Sequence, residues 1–194
     1  MEISTNIIIL AILGGIFPSV LWLKFWFKED KHQEPRSLIF KVFVFGMISV
    51  PAAVLLEKGV SLFIPDYTLI SFIIWAIIEE GLKFASAYFP ALRTRFADEP
   101  IDMVLYMMTA ALGFSALENS LFLLSPLSEG NILKGIATLD FRFIGASLLH
   151  ILTSGIIGIS MAETFYSSNK VKCVAFFSGI SIAVLLHALF NNFI

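Results

Sequence analysis

Charged side chains are scarce in this sequence. Lys, Arg, Asp and Glu make up 14% of the 194 residues, about half the share of a typical soluble domain. A water-soluble domain of this length would need a charged surface, whereas 58% of the residues are hydrophobic and phenylalanine alone supplies 20. The composition excludes a disordered chain and favours a protein that is embedded in a lipid bilayer.

Cysteines and basic tracts are lacking too. With Cys173 as its one cysteine, the chain can form neither an intramolecular disulfide nor a thiolate metal cluster. The net charge is −2, and no stretch interleaves basic and aromatic residues as a nucleic-acid-binding surface does. We therefore expect membrane lipids and proteins as partners, and no nucleic acid.

Long apolar segments dominate what is present. A membrane-spanning helix needs about 20 apolar residues. Polar breaks and prolines separate six such segments, near residues 4–24, 38–56, 69–89, 101–124, 141–163 and 172–194. The sequence predicts an all-α fold, a polytopic bundle of about six transmembrane helices that forms one integral-membrane domain over residues 1–194. The first segment lacks the marks of a cleaved signal peptide, so we expect a retained helix.

The connections between these segments differ in charge. The odd-numbered loops hold most of the basic residues, whereas the even-numbered loops hold only Lys58 and Lys134. Because Lys and Arg accumulate on the cytoplasmic side, both termini are predicted to lie outside the cytoplasm. The most polar connection runs from Lys28 to Arg36, and the longest loop is predicted between Ser125 and Gly135.

Eight polar side chains fall inside the predicted spans, where each is costly and is therefore a functional candidate. They are Glu79, Glu80, Lys83, Glu118, Asn119, His150, His187 and Asn191. Lys83 stands four residues after Glu79 and three after Glu80, so it can reach either carboxylate from the same side of its helix. The depths of these residues overlap, which predicts one shared cavity.

Such a set of side chains suits hydrolysis of a peptide bond inside the membrane. A carboxylate neutralised by Lys83 would be a structural anion, and a second, desolvated carboxylate could activate water as a general base. The imidazoles could orient the water, ligate a metal ion or stabilise an oxyanion, and Asn191 is a suitable amide donor for the oxyanion. Each residue alone also has a structural explanation, as a helix-packing ion pair or an interhelical hydrogen bond.

The polar residues lie in blocks that resemble the PrsW family of bacterial intramembrane proteases. The blocks are Glu79-Glu80-Gly81-Leu82-Lys83, Gly113-Phe114-Ser115-Ala116-Leu117-Glu118-Asn119, His150 and His187-Ala188-Leu189-Phe190-Asn191. They occur in order on separate predicted spans, and the likeness covers nearly the whole chain. The related CAAX prenyl endopeptidases share a di-Glu block and a late H-x-x-x-N, but usually carry a histidine where this chain has Glu118.

The resemblance implies site-1 cleavage of a membrane-spanning anti-sigma factor on its extracytoplasmic side, in the cytoplasmic membrane of a bacterium under envelope stress. The catalytic residues it implies are Glu79 as the base, Glu80, His150, His187 and Asn191. The supporting residues are Lys83, Glu118, Asn119, Asp102 and Arg142. From its position near a helix start, Arg142 either extends to the lipid headgroups or pairs with a buried acid. Asp102 can equally be a helix-start residue with no further role.

A divalent metal such as zinc is one cofactor that this chemistry could use. The candidate ligands are Glu80, Glu118, His150 and His187. No two histidines stand four residues apart as in the zinc motif H-E-x-x-H, so metal dependence is open at this point. Two other functions are compatible with the same residues: a CAAX-type prenyl-protein endopeptidase, and a non-catalytic scaffold or transporter whose buried Glu and His residues relay protons or hold an ion.

Overall fold

The computed structural model describes residues 4–26 and 34–193, which form seven α helices, two π-helical turns and no strand. The helices are α1 (Thr5–Trp26), α2 (Arg36–Ser61), α3 (Leu69–Ala87), α4 (Pro100–Ser128), α5 (Ile132–Phe141), α6 (Ser147–Glu163) and α7 (Asn169–Phe193). The π-helical turns are Tyr88–Leu92, which continues α3, and Arg142–Ala146, which leads into α6. The prediction of an all-α fold is confirmed for these residues.

Four helices, α1, α2, α4 and α7, are long and apolar enough to cross a membrane. Helix α6 has 17 residues, and α3 carries three charged side chains among its 19 residues, so neither is identified as a span by length and composition. The six predicted segments coincide with α1 to α4, α6 and α7. Most of the polar connection predicted from Lys28 to Arg36 lies outside the described residues.

The long loop predicted between Ser125 and Gly135 is wrong. Helix α4 extends to Ser128 and includes Pro126 in its last turn. Gly130 then adopts a left-handed conformation with φ of 69°, which reverses the chain. The side chain of Asn131 caps α5 by accepting a hydrogen bond from the backbone N–H of Lys134 at 3.0 Å.

Helix α4 lies at the centre of the bundle. In its most apolar stretch, 78% of the residues are buried inside the protein, against 22% to 39% in the other three candidate spans. A helix that is apolar on all sides needs neighbours all round it. Helices α1, α2, α3 and α6 pack along it. Side chains that reach inward from α3, α6 and α7 therefore meet near the buried surface of α4.

Close packing of α2 against α4 depends on glycine. A Cβ atom at Gly113 would collide with the backbone carbonyl of Phe43, and one at Gly46 would collide with the backbone carbonyl of Ala110. Backbone atoms cannot give way as the end of a flexible side chain can. The two helices can therefore approach this closely only because these two positions lack a side chain.

We expect Gly113→Ala to lower the free energy of unfolding by about 1 to 3 kcal/mol, because the added methyl group forces α2 away from α4. Gly59→Ala is the matched control, since no atom lies within 4 Å of its added Cβ and alanine favours a helix. Thermal unfolding in detergent measures both variants. Equal melting temperatures for the two variants would show that the close approach of α2 to α4 does not determine the stability of the protein.

Candidate active site

Helix α3 carries the charged residues into the bundle. Its first turn is closed by a capping box in which Ser71 accepts a hydrogen bond from the backbone N–H of Thr68 at 2.9 Å. Its buried face includes Phe72 and Ala76 and, further along, the charged side chains at positions 79, 80 and 83. The three- and four-residue spacing of one helix face thus directs these charges toward the interior of the protein.

Glu80 is held by four hydrogen bonds and is fully buried. Its Oε1 accepts from Lys83 Nζ at 2.9 Å, from Thr153 Oγ1 at 2.9 Å and from His187 Nδ1 at 2.8 Å. Its Oε2 accepts from Ser154 Oγ at 3.1 Å. With both oxygens engaged, this carboxylate is suited to hold its neighbours in place, and it has little freedom to accept a proton from water.

Glu79 is less engaged. Its Oε2 accepts a hydrogen bond from Lys83 Nζ at 3.3 Å and lies 3.6 Å from His187 Nε2. Its Oε1 has no hydrogen-bond partner among the described residues, and 9% of the side chain is exposed. Of the two adjacent carboxylates, Glu79 is therefore the one that is available to a water molecule or a substrate.

The two histidines have different protonated nitrogens, as their partners require. A carboxylate only accepts, so the Nδ1 of His187 carries the hydrogen that it donates to Glu80, and its Nε2 lies 3.6 Å from Glu79 Oε2. An ammonium only donates, so the Nδ1 of His150 accepts from Lys83 at 2.8 Å, and its Nε2 donates to Glu118 at 2.9 Å. The two rings are in edge-to-face contact, with centroids 5.2 Å apart.

Arg142 pairs with a partly buried acid, one of the two alternatives that its position suggested. Its Nη2 donates to Glu118 Oε2 at 2.6 Å, and its Nε donates to Asn119 Oδ1 at 2.6 Å. The amide nitrogen of Asn119 donates in turn to Ser147 Oγ at 2.9 Å and to Ser115 Oγ at 3.2 Å. Predicted residues of α3, α4, α6 and α7 thus meet in one polar cluster, which comprises Glu79, Glu80, Lys83, Glu118, His150 and His187.

Two of the predicted residues, Asn191 and Asp102, are not linked to the polar cluster by hydrogen bonds among the described residues. Asn191 stands one helical turn beyond His187, is partly exposed, and makes no hydrogen bond within the part of the chain that the structure describes. Asp102 lies at the start of α4, where its Oδ2 accepts from the backbone N–H groups of Asp98 and Glu99 at 3.0 and 2.7 Å. At a rise of 1.5 Å per residue, Asp102 is about 24 Å along α4 from the cluster.

Three members of the cluster could hold a metal ion. One potential ligand atom each from Glu79, His150 and His187 lie within 4.8 Å of one another, and all three residues are buried. Two imidazoles and one carboxylate form a donor set that catalytic zinc uses, and the Glu80 carboxylate orients His187 from behind. These three side chains are therefore of the kinds that bind a metal ion such as zinc. The Lys83 ammonium now binds Glu79 and His150, so it would have to turn away from both.

Two polar side chains near the cluster were missed by the sequence analysis. Thr153 binds Glu80, and its place three residues after His150, on the same face of α6, was the available signal. Glu57 follows the buried Ala53 by four residues on α2, is partly buried, and lies within electrostatic reach of the cluster. It stands near a predicted span end, where charged residues are common, so the sequence did not single it out.

Comparisons with known proteins agree on one family. A sequence model of the family described as "PrsW family intramembrane metalloprotease" matches residues 34–194. Protease PrsW of Geobacillus kaustophilus is 28% identical over 165 residues, which cover 82% of this chain and 68% of that protein. Protease PrsW of Clostridioides difficile is 26% identical over a region that covers 94% of this chain and 75% of that protein. Protease PrsW of Bacillus subtilis is 24% identical over 93% of this chain and 80% of that protein. No solved structure matches the chain.

Proposed function

The chain belongs to the PrsW family of intramembrane proteases, and we propose that it cuts a single-pass membrane protein by means of a water molecule activated at Glu79. The observation that carries this proposal is the free Oε1 of Glu79, with His187 Nε2 at 3.6 Å from the Oε2 of the same carboxylate. This hydrolysis requires a base with a free oxygen, which Glu79 provides, and a hydrogen-bond acceptor that orients the water, which we assign to His187.

In the bilayer, we place α1 to α4, α6 with its π-helical turn, and α7 as six spans, with both termini outside the cytoplasm. The basic loops then face the cytoplasm, as expected from the distribution of Lys and Arg. Glu79 lies ten residues from the start of α3, about 15 Å along the helix. The site would therefore extend from about the middle of the membrane, where Glu79 lies, into the outer half, within reach of a bond in the extracytoplasmic part of a substrate helix.

The reaction begins with a water molecule between Glu79 and His187. Glu79 takes a proton from this water, His187 Nε2 accepts its second hydrogen in a hydrogen bond, and the oxygen attacks the carbonyl carbon of the peptide. The carbonyl oxygen becomes negatively charged, and the Asn191 amide, which has no partner among the described residues, is available to donate to it. When the C–N bond breaks, Glu79 returns the proton to the leaving amine, so the enzyme ends in its starting state.

Lys83 and Glu80 would keep this arrangement in place. The Lys83 ammonium bridges both carboxylates and His150, while Glu80 fixes the ring of His187. Neither group takes part in proton transfer in this scheme. If the family's metal is present, Glu79, His150 and His187 would hold it, and the ion would supply Lewis-acid activation of the water.

We propose a membrane-spanning anti-sigma factor in the cytoplasmic membrane of a bacterium as the substrate, with release of an extracytoplasmic-function sigma factor as the result. The support is the family membership together with the proposed depth of the site. A cluster that extends into the outer half could cut in the outer part of a substrate helix without unwinding it across the whole bilayer. A single cut there would leave the rest of the substrate in the membrane for a later protease.

Incubation of the purified protein in detergent with candidate single-pass anti-sigma factors from the same genome tests this function. We expect the wild type to cut at least one candidate and His187→Ala to lose about 1,000-fold in kcat/KM, because the attacking water loses its acceptor. Leu186→Ala, the neighbouring substitution on the exposed face of α7, is the matched control and should keep full activity.

The outcomes of that experiment separate the alternatives. Cleavage that a chelator does not affect supports water activated by Glu79 alone, whereas loss on chelation and recovery with added metal support the ion held by Glu79, His150 and His187. Cleavage of a prenylated peptide and of no membrane protein would indicate CAAX-type processing. A folded wild type that cuts nothing contradicts the proposed function.

A further inference from the structure

Arg142 forms a tight clamp on two adjacent residues of α4. Its guanidinium donates to Glu118 and Asn119 through two different nitrogens, each at 2.6 Å. It also stacks on the ring of Phe122, with its central carbon 3.8 Å from the ring centroid. We name this set of contacts the Arg142 clamp.

The Arg142 clamp binds a Glu118 oxygen that also accepts a hydrogen bond from the polar cluster. Glu118 Oε2, which accepts from Arg142 at 2.6 Å, is the same atom that accepts from His150 Nε2 at 2.9 Å. The position of this oxygen determines where the imidazole points. Since the other nitrogen of His150 accepts from Lys83 at 2.8 Å, a rotation of the ring would also release the ammonium that bridges Glu79 and Glu80.

The clamp is itself held rigidly. Asn119, which accepts from Arg142, is buried and is anchored by Ser115 and Ser147. Arg142 is the first residue of the π-helical turn Arg142–Ala146, and such turns are frequent at functional sites. Within the part of the chain that the structure describes, its guanidinium bonds to Glu118 and Asn119 and forms no ion pair with the carboxylates of α3.

We propose that Arg142 is a positioning residue of the active site: by fixing the Glu118 carboxylate, it orients His150 and, through His150, places Lys83 against Glu79. The inference rests on the proposed function. Arg142 acts through three intervening residues, Glu118, His150 and Lys83, and does not touch the reacting atoms. Its loss should therefore affect the rate of the bound complex, with little effect on substrate binding.

We expect Arg142→Ala to lower kcat by about 10- to 100-fold, the usual effect of losing a residue that orients an active-site group, and to change KM less than about twofold. Guanidinium ion added at millimolar concentration should restore part of the lost kcat, because it can occupy the vacated space between Glu118 and Asn119. Arg142→Lys should fall between alanine and wild type, since an ammonium cannot make both bonds in the fixed geometry of a guanidinium.

Arg93→Ala is the matched control. Arg93 also lies over a phenylalanine ring, that of Phe89 at 5.3 Å, and it donates to the backbone carbonyl of that residue at the far end of α3. This variant should keep the wild-type kcat and should not respond to guanidinium. A kcat for Arg142→Ala within twofold of wild type, or a loss that guanidinium fails to reverse in a folded protein, overturns the inference.

A second measurement keeps the inference apart from the proposed function. Nitrogen-15 NMR of the histidine rings in detergent should show His150 with its hydrogen fixed on Nε2 in the wild type, and a broadened or shifted signal in Arg142→Ala and Arg142→Lys. An unchanged signal in both variants overturns the positioning role whether or not a substrate is cut. A changed signal in a protein that cleaves nothing would support the clamp while the proposed function fails.

Discussion

The Glu79→Gln variant is expected to lose at least about 1,000-fold in kcat/KM, because glutamine cannot take a proton from water at neutral pH. The substitution preserves shape, and the amide oxygen can still accept the hydrogen bond from Lys83 that Glu79 accepts at 3.3 Å. Protein levels and melting temperature should therefore stay close to those of the wild type. Cleavage of a single-pass membrane substrate, followed by electrophoresis and mass spectrometry of the fragments, measures the effect.

Glu163→Gln is the control for this prediction, since it removes an exposed carboxylate at the end of α6, away from the polar cluster. It should cleave at the wild-type rate. Substantial activity in a correctly folded Glu79→Gln protein would remove Glu79 as the base and would leave water activation to another group.

The Lys83→Met variant is expected to lose about 3 to 5 kcal/mol of stability, the usual cost of removing one partner from a buried ion pair. Lys83 is fully buried and is the cation between Glu79 and Glu80, at 3.3 and 2.9 Å. Without it, two adjacent carboxylates inside the protein lose the cation that lies between them, and the acceptor nitrogen of His150 loses its donor. Denaturant or thermal unfolding in detergent measures the loss.

The double variant Lys83→Met, Glu80→Gln provides the critical comparison. Because it removes the cation and one anion together, most of the lost stability should return. Lys134→Met, which breaks an exposed ion pair with Glu129 on the surface, should leave the melting temperature unchanged. If the single variant Lys83→Met were as stable as the wild type, the bridging ammonium would not be what holds the two carboxylates together.

The arrangement on α3 could be predicted from the sequence because a helix fixes the positions of near neighbours. Spacings of three and four residues indicated that Lys83 can reach both Glu80 and Glu79, and the structure has both contacts. The positions of α1 to α4, α6 and α7 followed from apolar segments bounded by polar residues and prolines. Pro100, for example, occupies the first turn of α4, where a proline is well tolerated.

Other features depend on tertiary packing, which spacing does not reveal. The sequence indicated a shared cavity. It could not show which carboxylate would have all its hydrogen-bond acceptors occupied, because the donors to Glu80 come from three different helices. Spacing alone also placed Asn191 on the His187 side of α7, yet it lies one turn beyond the polar cluster. The catalytic roles of these residues stay predictions, which the variants above test.

The bond between Glu80 and His187 joins residues that are 107 positions apart, and α7 is the last helix described in the chain. During synthesis, the membrane therefore receives α3 with its two carboxylates well before the imidazole that completes the site has left the ribosome. Under the proposed mechanism, a protease built in this order lacks His187, and so one of the two groups that hold the water, until α7 has been made. The order of translation would thus protect neighbouring nascent membrane proteins from premature cleavage.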